Sequence, residues 1–191
     1  MPKMRCLTIA VIILCTTVTF SQATAENRKT RFSSVYTDME RDCRSALTKQ
    51  ERKEAAAAGQ DSPQVCKGYG GYYPNISYSA VVEYVWIGSR RDDDFSLTLN
   101  PNGLNLTGRK LEWRLADGKP FAVILRVAYY SGEGYNSGGS PFDVKYKEKE
   151  ALVIKGLKGY EKIDFEIDAK TPNVNEQARG MADDAFTAMR R

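Results

Sequence analysis

The chain of 191 residues contains no histidine, which removes the usual base of serine and cysteine hydrolases and the commonest zinc ligand. The densest remaining group of reactive side chains is the carboxylate run Asp92-Asp93-Asp94. Carboxylates bind calcium, or act in pairs in glycoside hydrolysis. This run lacks the alternating ligand spacing of a calcium loop, and Arg90-Arg91 precedes it directly. We therefore interpret it as a solvated connection between strands, and we predict no catalytic residue, no metal site and no cofactor.

Tyrosines form a second group, and they are concentrated in two parts of the chain. One part is the glycine-rich segment GYGGYYP, and the other is the end of a predicted strand with the loop that follows it. Tyrosine rings give a large contact area at a low entropy cost, so they stack on sugars or fill the cleft of a partner protein. The alternative is that they pack at the margins of a sheet, because tyrosine is a good strand former. The candidate binding surface comprises Tyr69, Tyr72, Tyr73, Tyr129, Tyr130 and Tyr135, together with Arg126.

Arg126 belongs to this candidate surface because it interrupts an apolar strand between Leu125 and Val127. If its face of the sheet is covered, the guanidinium needs a carboxylate or carbonyl partner, and Glu83 and Glu112 are the candidates. If the face is open, Arg126 is solvated, since antiparallel sheets often leave one face wet. Both interpretations are alternatives to a role of Arg126 in ligand binding.

The N-terminal segment has the pattern of a secretory signal peptide. Lys3 and Arg5 precede an apolar stretch from Leu7 to Phe20, and Ala23-Thr24-Ala25 matches a cleavage site. The apolar stretch is shorter than the roughly 20 residues that a membrane span needs, which disfavours an uncleaved anchor. We predict a signal peptide of residues 1–25 and a single exported domain of residues 26–191, periplasmic or secreted.

Two cysteines, Cys43 and Cys66, remain after removal of the predicted signal peptide. An even pair in an exported chain predicts a disulfide bond. A redox-active pair is disfavoured because the C-x-x-C spacing is absent, and a metal site is disfavoured because no histidine is available. Asn75 and Asn105 each begin a glycosylation sequon, which matters only in a host that glycosylates exported proteins.

The most strongly patterned stretch, residues 110–131, predicts a β-hairpin. Large apolar residues alternate with smaller or polar ones in both arms. A two-residue turn at Asp117-Gly118 pairs Trp113 with Ala122 and sends the two apolar faces to opposite sides. A three-residue loop that begins at Ala116 pairs Trp113 with Phe121 and keeps the large groups together, so we predict this loop.

Other segments predict short strands and two helices. Thr48 and Glu51 fit a capping box, which predicts a short helix inside the disulfide loop. Residues 76–88 predict one or two strands, and the apolar side chains on both faces of residues 81–87 predict a strand that is covered on both sides. A C-terminal helix from about Asn175 to Met189 is expected to dock on the sheet through one apolar stripe, formed by Ala178, Met181, Ala182, Ala185, Phe186 and Met189.

These elements predict a mainly β domain. We expect an antiparallel β-sandwich or curved sheet of about seven or eight strands, with a C-terminal amphipathic helix and a short disulfide-tied N-terminal helix. The net charge of +4 is too weak and too evenly distributed to indicate nucleic acid or a membrane surface as a partner. We predict a non-enzymatic binding module for a protein or carbohydrate of the cell envelope. The alternatives are an inhibitor of a secreted hydrolase such as a lysozyme, and a carboxylate-based hydrolase.

Overall fold

The computed structural model describes residues 29–79, 82–99, 105–131 and 147–190. Within these ranges the strands are β1 (Phe32–Asp38), β2 (Cys43–Ser45), β3 (Gln64–Cys66), β4 (Tyr72–Ser79), β5 (Val82–Ser89), β6 (Asp92–Thr98), β7 (Asn105–Ala116), β8 (Lys119–Ser131), β9 (Lys147–Gly156) and β10 (Asp164–Asp168). The helices are α1 (Lys49–Ala57) and α2 (Val174–Met189). The described part of the chain is therefore mainly β, as predicted, although it contains ten strands rather than seven or eight.

The strands form two antiparallel sheets of five strands each. The first sheet has the order β1-β7-β8-β9-β10, and the second has the order β2-β3-β4-β5-β6. The two sheets pack face to face over one apolar core, to which Trp113 and Leu125 contribute from the first sheet and Val85 and Ile87 from the second. Trp113 is fully buried, and its Nε1–H donates a hydrogen bond of 2.9 Å to Oγ1 of Thr37, so the indole leaves no unpaired donor in the core.

Helix α2 covers the opposite face of the first sheet. Its buried residues are Val174, Ala178, Ala182 and Phe186, at a spacing of four residues. The last three belong to the predicted apolar stripe, whereas Met189 of that stripe is exposed. They pack on a second apolar core that Phe121, Ile124 and Ile154 supply from the sheet. The predicted docking of the C-terminal helix is confirmed, and the first sheet is covered on both faces.

The β7–β8 hairpin differs from the prediction at its turn. The turn is the two-residue Asp117-Gly118, and both residues have positive φ, as this turn type requires. Arg114 pairs with Ala122 and Leu115 with Pro120, so Phe121 has no partner on β7. This bulge restores the parity that the two-residue turn breaks, because it shifts the pairs from Arg114–Ala122 to Leu111–Leu125 by one residue. Trp113 consequently lies opposite Val123, and the predicted pairing of Trp113 with Phe121 is wrong.

The predicted disulfide and the short N-terminal helix are both present. Cys43 lies opposite Cys66 in the β2–β3 pair, and a disulfide bond joins them. Helix α1 lies in the loop that this bond closes and begins with the predicted capping box of Thr48 and Glu51. No residue of α1 is buried, so the cap and the disulfide at its base hold the helix in place rather than core packing.

Two predictions concern parts of the chain that lie outside the described residues, namely the signal peptide of residues 1–25 and the loop position Tyr135. Within the described ranges, no helix combines the length and apolar character needed to cross a membrane. Of the two sequons, Asn75 lies inside β4, where both neighbouring strands pair with it, and Asn105 begins β7.

Candidate binding surface

The structure places the predicted tyrosines at opposite ends of the sandwich. The glycine-rich segment contacts the start of β8, because a Cβ atom on Gly70 would lie 2.5 Å from Cγ of Pro120. Tyr129 lies near the other end of β8, where it pairs with Asn105 and Lys149. Nine residues of strand separate Pro120 from Tyr129, a distance of about 30 Å. The two groups of tyrosines therefore do not form one surface, and of Tyr129 and Tyr130 the structure describes only the backbone.

Tyr69 and Tyr72 pack inward at the margin of the core between the sheets. The ring of Tyr72 lies 5.5 Å from the ring of Phe95 in an edge-to-face arrangement. Burial raises the pKa of the Tyr72 hydroxyl above its usual value. The interpretation of tyrosine as a sheet-margin residue therefore fits these two positions better than a binding role.

Tyr73 has a different environment, on the outer face of the second sheet. It pairs with Gly88 of β5, and its ring lies over that glycine. A Cβ atom on Gly88 would lie only 2.9 Å from Cζ of Tyr73 and 3.1 Å from its hydroxyl oxygen. Because position 88 has no side chain, the Tyr73 ring can lie against the backbone of the neighbouring strand.

Two further aromatic residues continue the row that Tyr73 begins. Trp86 pairs with Asn75, and Tyr84 pairs with Ser77, so these four side chains share the outer face with Tyr73. Successive residues on one face of a strand are about 7 Å apart. We name this surface the aromatic face, and its residues are Val65, Tyr73, Asn75, Ser77, Tyr84, Trp86, Ser96 and Thr98.

The aromatic face has no described element over it, and the charged side chain of Arg44 lies at its β2 edge, opposite Val65. Its side chains are apolar, hydroxyl or amide groups, and Tyr73, Tyr84 and Trp86 are each half-buried. Among the helices and strands that the structure describes, none packs on this face of the second sheet, since α2 contacts β8, β9 and β10 of the first. We predicted a strand that is covered on both sides. In the structure, described elements cover β5 on its inner face alone.

Arg126 forms an ordinary surface ion pair. Its Nη1 lies 3.3 Å from Oε2 of Glu150, and both side chains are nearly half exposed. Glu150 lies on β9, diagonally opposite Arg126 on the same face. The predicted partners are wrong, because Glu83 pairs with Arg109 and Glu112 pairs with Arg179. An exposed pair of this kind contributes little to stability and gives no evidence of a ligand site.

One buried group resembles a catalytic pair, and it lies between β1, β7 and α2. Ser34 Oγ donates a hydrogen bond of 2.5 Å to Oε1 of Glu112. A serine beside a carboxylate suggests a nucleophile with its base. However, both oxygens of Glu112 accept hydrogen bonds from Arg179, at 2.7 and 3.2 Å. The Glu112 carboxylate is therefore already engaged in an ion pair with Arg179, which fits a structural role.

The same group fastens α2 to the first sheet. Arg114 binds both carboxylate oxygens of Asp183, with Nε to Oδ1 at 2.7 Å and Nη2 to Oδ2 at 2.5 Å, and it also donates to Ser34. Bidentate pairs of this kind are directional as well as strong. We name this network the polar bridge, and its residues are Ser34, Tyr36, Glu112, Arg114, Arg179 and Asp183.

The carboxylate run is solvated as predicted but does not form the connection between strands, because Asp92, Asp93 and Asp94 begin β6 and the β5–β6 turn lies at Arg90-Arg91. Asp92 pairs with Lys158, and this hydrogen bond lowers the pKa of the Asp92 carboxyl. Asp93 and Asp94 are exposed. In the described ranges, no group of three or more histidine, cysteine, aspartate or glutamate side chains is placed to hold a metal ion.

Comparison with known proteins identifies no relative, so any functional argument rests on the geometry of the structure. No protein-family model, no curated protein and no solved structure matches this chain. The aromatic face is the described surface that comes nearest to the predicted tyrosine surface. It retains one residue of the predicted surface, Tyr73. It also includes Tyr84 and Trp86, which were predicted to lie in a covered strand.

Proposed function

We propose that the protein is a non-enzymatic carbohydrate-binding module that acts outside the cytoplasm, and that the aromatic face is its binding site. The observation that carries this proposal is the row of Tyr73, Trp86 and Tyr84 on a sheet face with no described element over it. Contiguous apolar surface with interspersed polar groups marks an interaction site in soluble proteins.

The aromatic rings supply the main attraction to a sugar. One face of a sugar ring is lined with C–H groups, which pack against the face of an aromatic ring. The three rings project from paired strands, and the backbone at Gly88 fixes the position of Tyr73. A rigid platform loses little entropy on binding. The spacing of about 7 Å along β5 gives Tyr84 and Trp86 separate contacts on an extended ligand.

The polar side chains between the rings indicate a neutral ligand. Asn75 and Ser77 lie opposite Trp86 and Tyr84, and Ser96 and Thr98 follow on β6. These amide and hydroxyl groups both donate and accept hydrogen bonds, as sugar hydroxyls do. A polyanionic glycan would require several arginine or lysine side chains to neutralise it, whereas Arg44, opposite Val65 on the same sheet face, supplies a single positive charge at the β2 edge. We therefore propose a neutral polysaccharide as the ligand.

The proposed location rests on the predicted signal peptide and is supported by the disulfide bond, which persists in oxidising compartments. Fractionation of the host cells, followed by N-terminal sequencing of the protein, tests this part of the proposal. We expect the protein in the envelope or the medium, with Glu26 as its first residue. A cytoplasmic protein that retains residues 1–25 would contradict it.

Binding is tested by co-sedimentation with insoluble neutral polysaccharides. The protein purified from its host is mixed with cellulose, chitin or xylan, and the bound fraction is measured for the wild type and for Trp86→Ala and Tyr84→Ala. Tyr36→Ala is the matched control, because Tyr36 is 51% exposed on the first sheet, away from the aromatic face. We expect at least one polysaccharide to retain the wild type and the control, with a loss of about tenfold in affinity for Trp86→Ala.

Failure of all the polysaccharides to retain the wild type would contradict the proposed function, as would equal retention of Trp86→Ala. The sequon at Asn75 needs its own control, because Asn75 lies on the aromatic face and a glycan attached there would occupy the surface. Mass spectrometry of proteolytic peptides shows whether Asn75, as distinct from Asn105, is modified. Asn75→Gln then gives an unmodified face for the same assay.

A further inference from the structure

A second site lies on the other side of the molecule, at the C-terminal end of α2. A cavity of about 350 Å³ opens there between α2, the β7–β8 turn and the loop before β10. Small-molecule sites start at about this volume. We name this cavity the helix cleft, and its lining residues are Ala116, Asp117, Lys119, Tyr160, Phe186 and Arg190.

The floor of the helix cleft is a fixed aromatic cluster. The ring of Tyr160 stacks on the ring of Phe186, with centroids 5.2 Å apart and an interplanar angle of 27°. Phe186 in turn contacts Phe121, with centroids 4.6 Å apart. Only 3% of Phe186 is exposed, so packing holds its ring in place. A planar apolar group entering the cleft would therefore meet a preformed surface.

The rim of the helix cleft carries two cations and one carboxylate. The carboxylate, Asp117, already accepts a hydrogen bond of 3.0 Å from the backbone N–H of Arg31. Arg190 is the C-cap residue of α2, and its guanidinium lies over the Phe186 ring at 5.5 Å. Among the described residues, no carboxylate forms an ion pair with Lys119 or Arg190.

We propose that the helix cleft binds a small aromatic carboxylate. The aromatic ring of the ligand packs on Tyr160, which the buried ring of Phe186 supports from behind, and its carboxylate binds Lys119, with Arg190 as the second cation. The charge of the rim favours an anion, and a carboxylate gains a charge-assisted hydrogen bond from the lysine ammonium. The helix C-terminus attracts Arg190, which makes Lys119 the principal partner of the ligand. This site is independent of the aromatic face, since α2 packs on the first sheet.

The proposal is tested by isothermal titration of the purified protein with three matched probes at low ionic strength. These are 3-phenylpropionate, its neutral amide and the corresponding primary amine, and acetate serves as a probe that lacks the ring. We expect the carboxylate to bind about tenfold more tightly than the amide, because only the carboxylate gains the charge-assisted bond. Acetate should give no measurable heat. Tighter binding of the amide or amine, or no binding of any probe, would overturn the proposal.

Variants test the role of the rim cation Lys119. Lys119→Met keeps the length of the side chain and removes its charge, so we expect the advantage of the carboxylate over the amide to disappear. Lys53→Met, on the exposed helix α1, is the matched control and should leave both affinities unchanged. Lys119 is exposed, so its replacement should not alter the melting temperature. An undiminished carboxylate preference in Lys119→Met would overturn the proposed role of Lys119, and none of these outcomes bears on polysaccharide binding.

Discussion

The outer faces of the two sheets differ in what covers them. On the first sheet, α2 packs on aliphatic side chains such as Ile124 and Ile154 and on the aromatic ring of Phe121. The polar bridge fixes the position of the helix at one side of this contact. On the second sheet, the corresponding face carries aromatic, hydroxyl and amide groups, and no described element packs on it.

This difference distinguishes the outer face that stabilises the fold from the outer face that we propose as the binding site. Alanines at 178 and 182 let α2 approach the first sheet closely, and the paired arginines satisfy the charges that the helix covers. The aromatic face has no matching element within the described residues, yet it displays three rings of the types enriched at binding sites. We infer that one outer face stabilises the fold, whereas the other is available to a ligand.

The largest expected effect is on the covered face. Phe186→Ala should lower the free energy of unfolding by about 3 kcal/mol, because the ring is buried against Phe32, Phe121 and Tyr160. Trp86→Ala, on the aromatic face, should cost about 1 kcal/mol, because that side chain is only half-buried. Urea denaturation of both variants measures the difference. Equal losses would remove the proposed distinction between the two faces.

The polar bridge gives the next largest effect. Arg114→Met leaves the Asp183 carboxylate under the helix without its bidentate partner and should cost about 2 kcal/mol. The side chains of Arg114 and Asp183 are 11% and 18% exposed, so this loss should be smaller than for a fully buried pair. The double variant Arg114→Met/Asp183→Leu should recover most of the stability. A double-mutant cycle in urea measures the coupling, and additive losses would show that the pair contributes nothing.

A smaller effect is expected where Gly88 supports the aromatic face. In Gly88→Ala, the added methyl group would meet the Tyr73 ring and displace it from the strand. We expect weaker retention on the polysaccharide, with a loss of about 1 kcal/mol in stability. Gly180→Ala is the matched control, because nothing lies within 4 Å of a Cβ atom at that position. Unchanged retention in Gly88→Ala would show that the position of the Tyr73 ring does not matter for binding.

The smallest effect concerns the ion pair of Asp92 and Lys158, which joins the two sheets at their margin and belongs to neither outer face. Lys158 lowers the pKa of Asp92 in the folded protein below 3.8, so the pair stabilises the folded state above that pH. The stabilisation is lost as the pH falls through the lowered pKa. We therefore expect wild type to melt slightly above Asp92→Asn at neutral pH and at the same temperature in strong acid. A difference that persists in acid would contradict this origin.

Local patterns predicted much of the fold. The stripe at Ala178, Ala182 and Phe186 and the capping box at Thr48 depend on neighbouring residues alone, and both are confirmed. The β7–β8 turn was predicted wrongly, because parity can be restored either by a longer loop or by a bulge at Phe121, and the residue types permit both.

The candidate site was predicted less well than the fold, because the packing of the sheets decides which of its residues are buried. Alternation places Tyr72 and Tyr73 on opposite faces of β4, but which of them meets the core depends on how the sheets pack. Tyr84 and Trp86 were assigned to a covered strand because aromatic residues suit both a core and a binding surface. The helix cleft joins residues from distant parts of the chain, and no sequence motif marks such a combination.

The central claim, that the aromatic face binds a neutral glycan, is tested most directly by the indole N–H signals of the two tryptophans. Trp113 is fully buried between the sheets, whereas Trp86 is part of the aromatic face. The ¹⁵N-labelled protein is titrated with a soluble oligosaccharide of the polysaccharide that retains it. We expect the Trp86 indole signal to shift progressively to saturation while that of Trp113 stays in place. Saturable binding that leaves the Trp86 signal unmoved would contradict the claim.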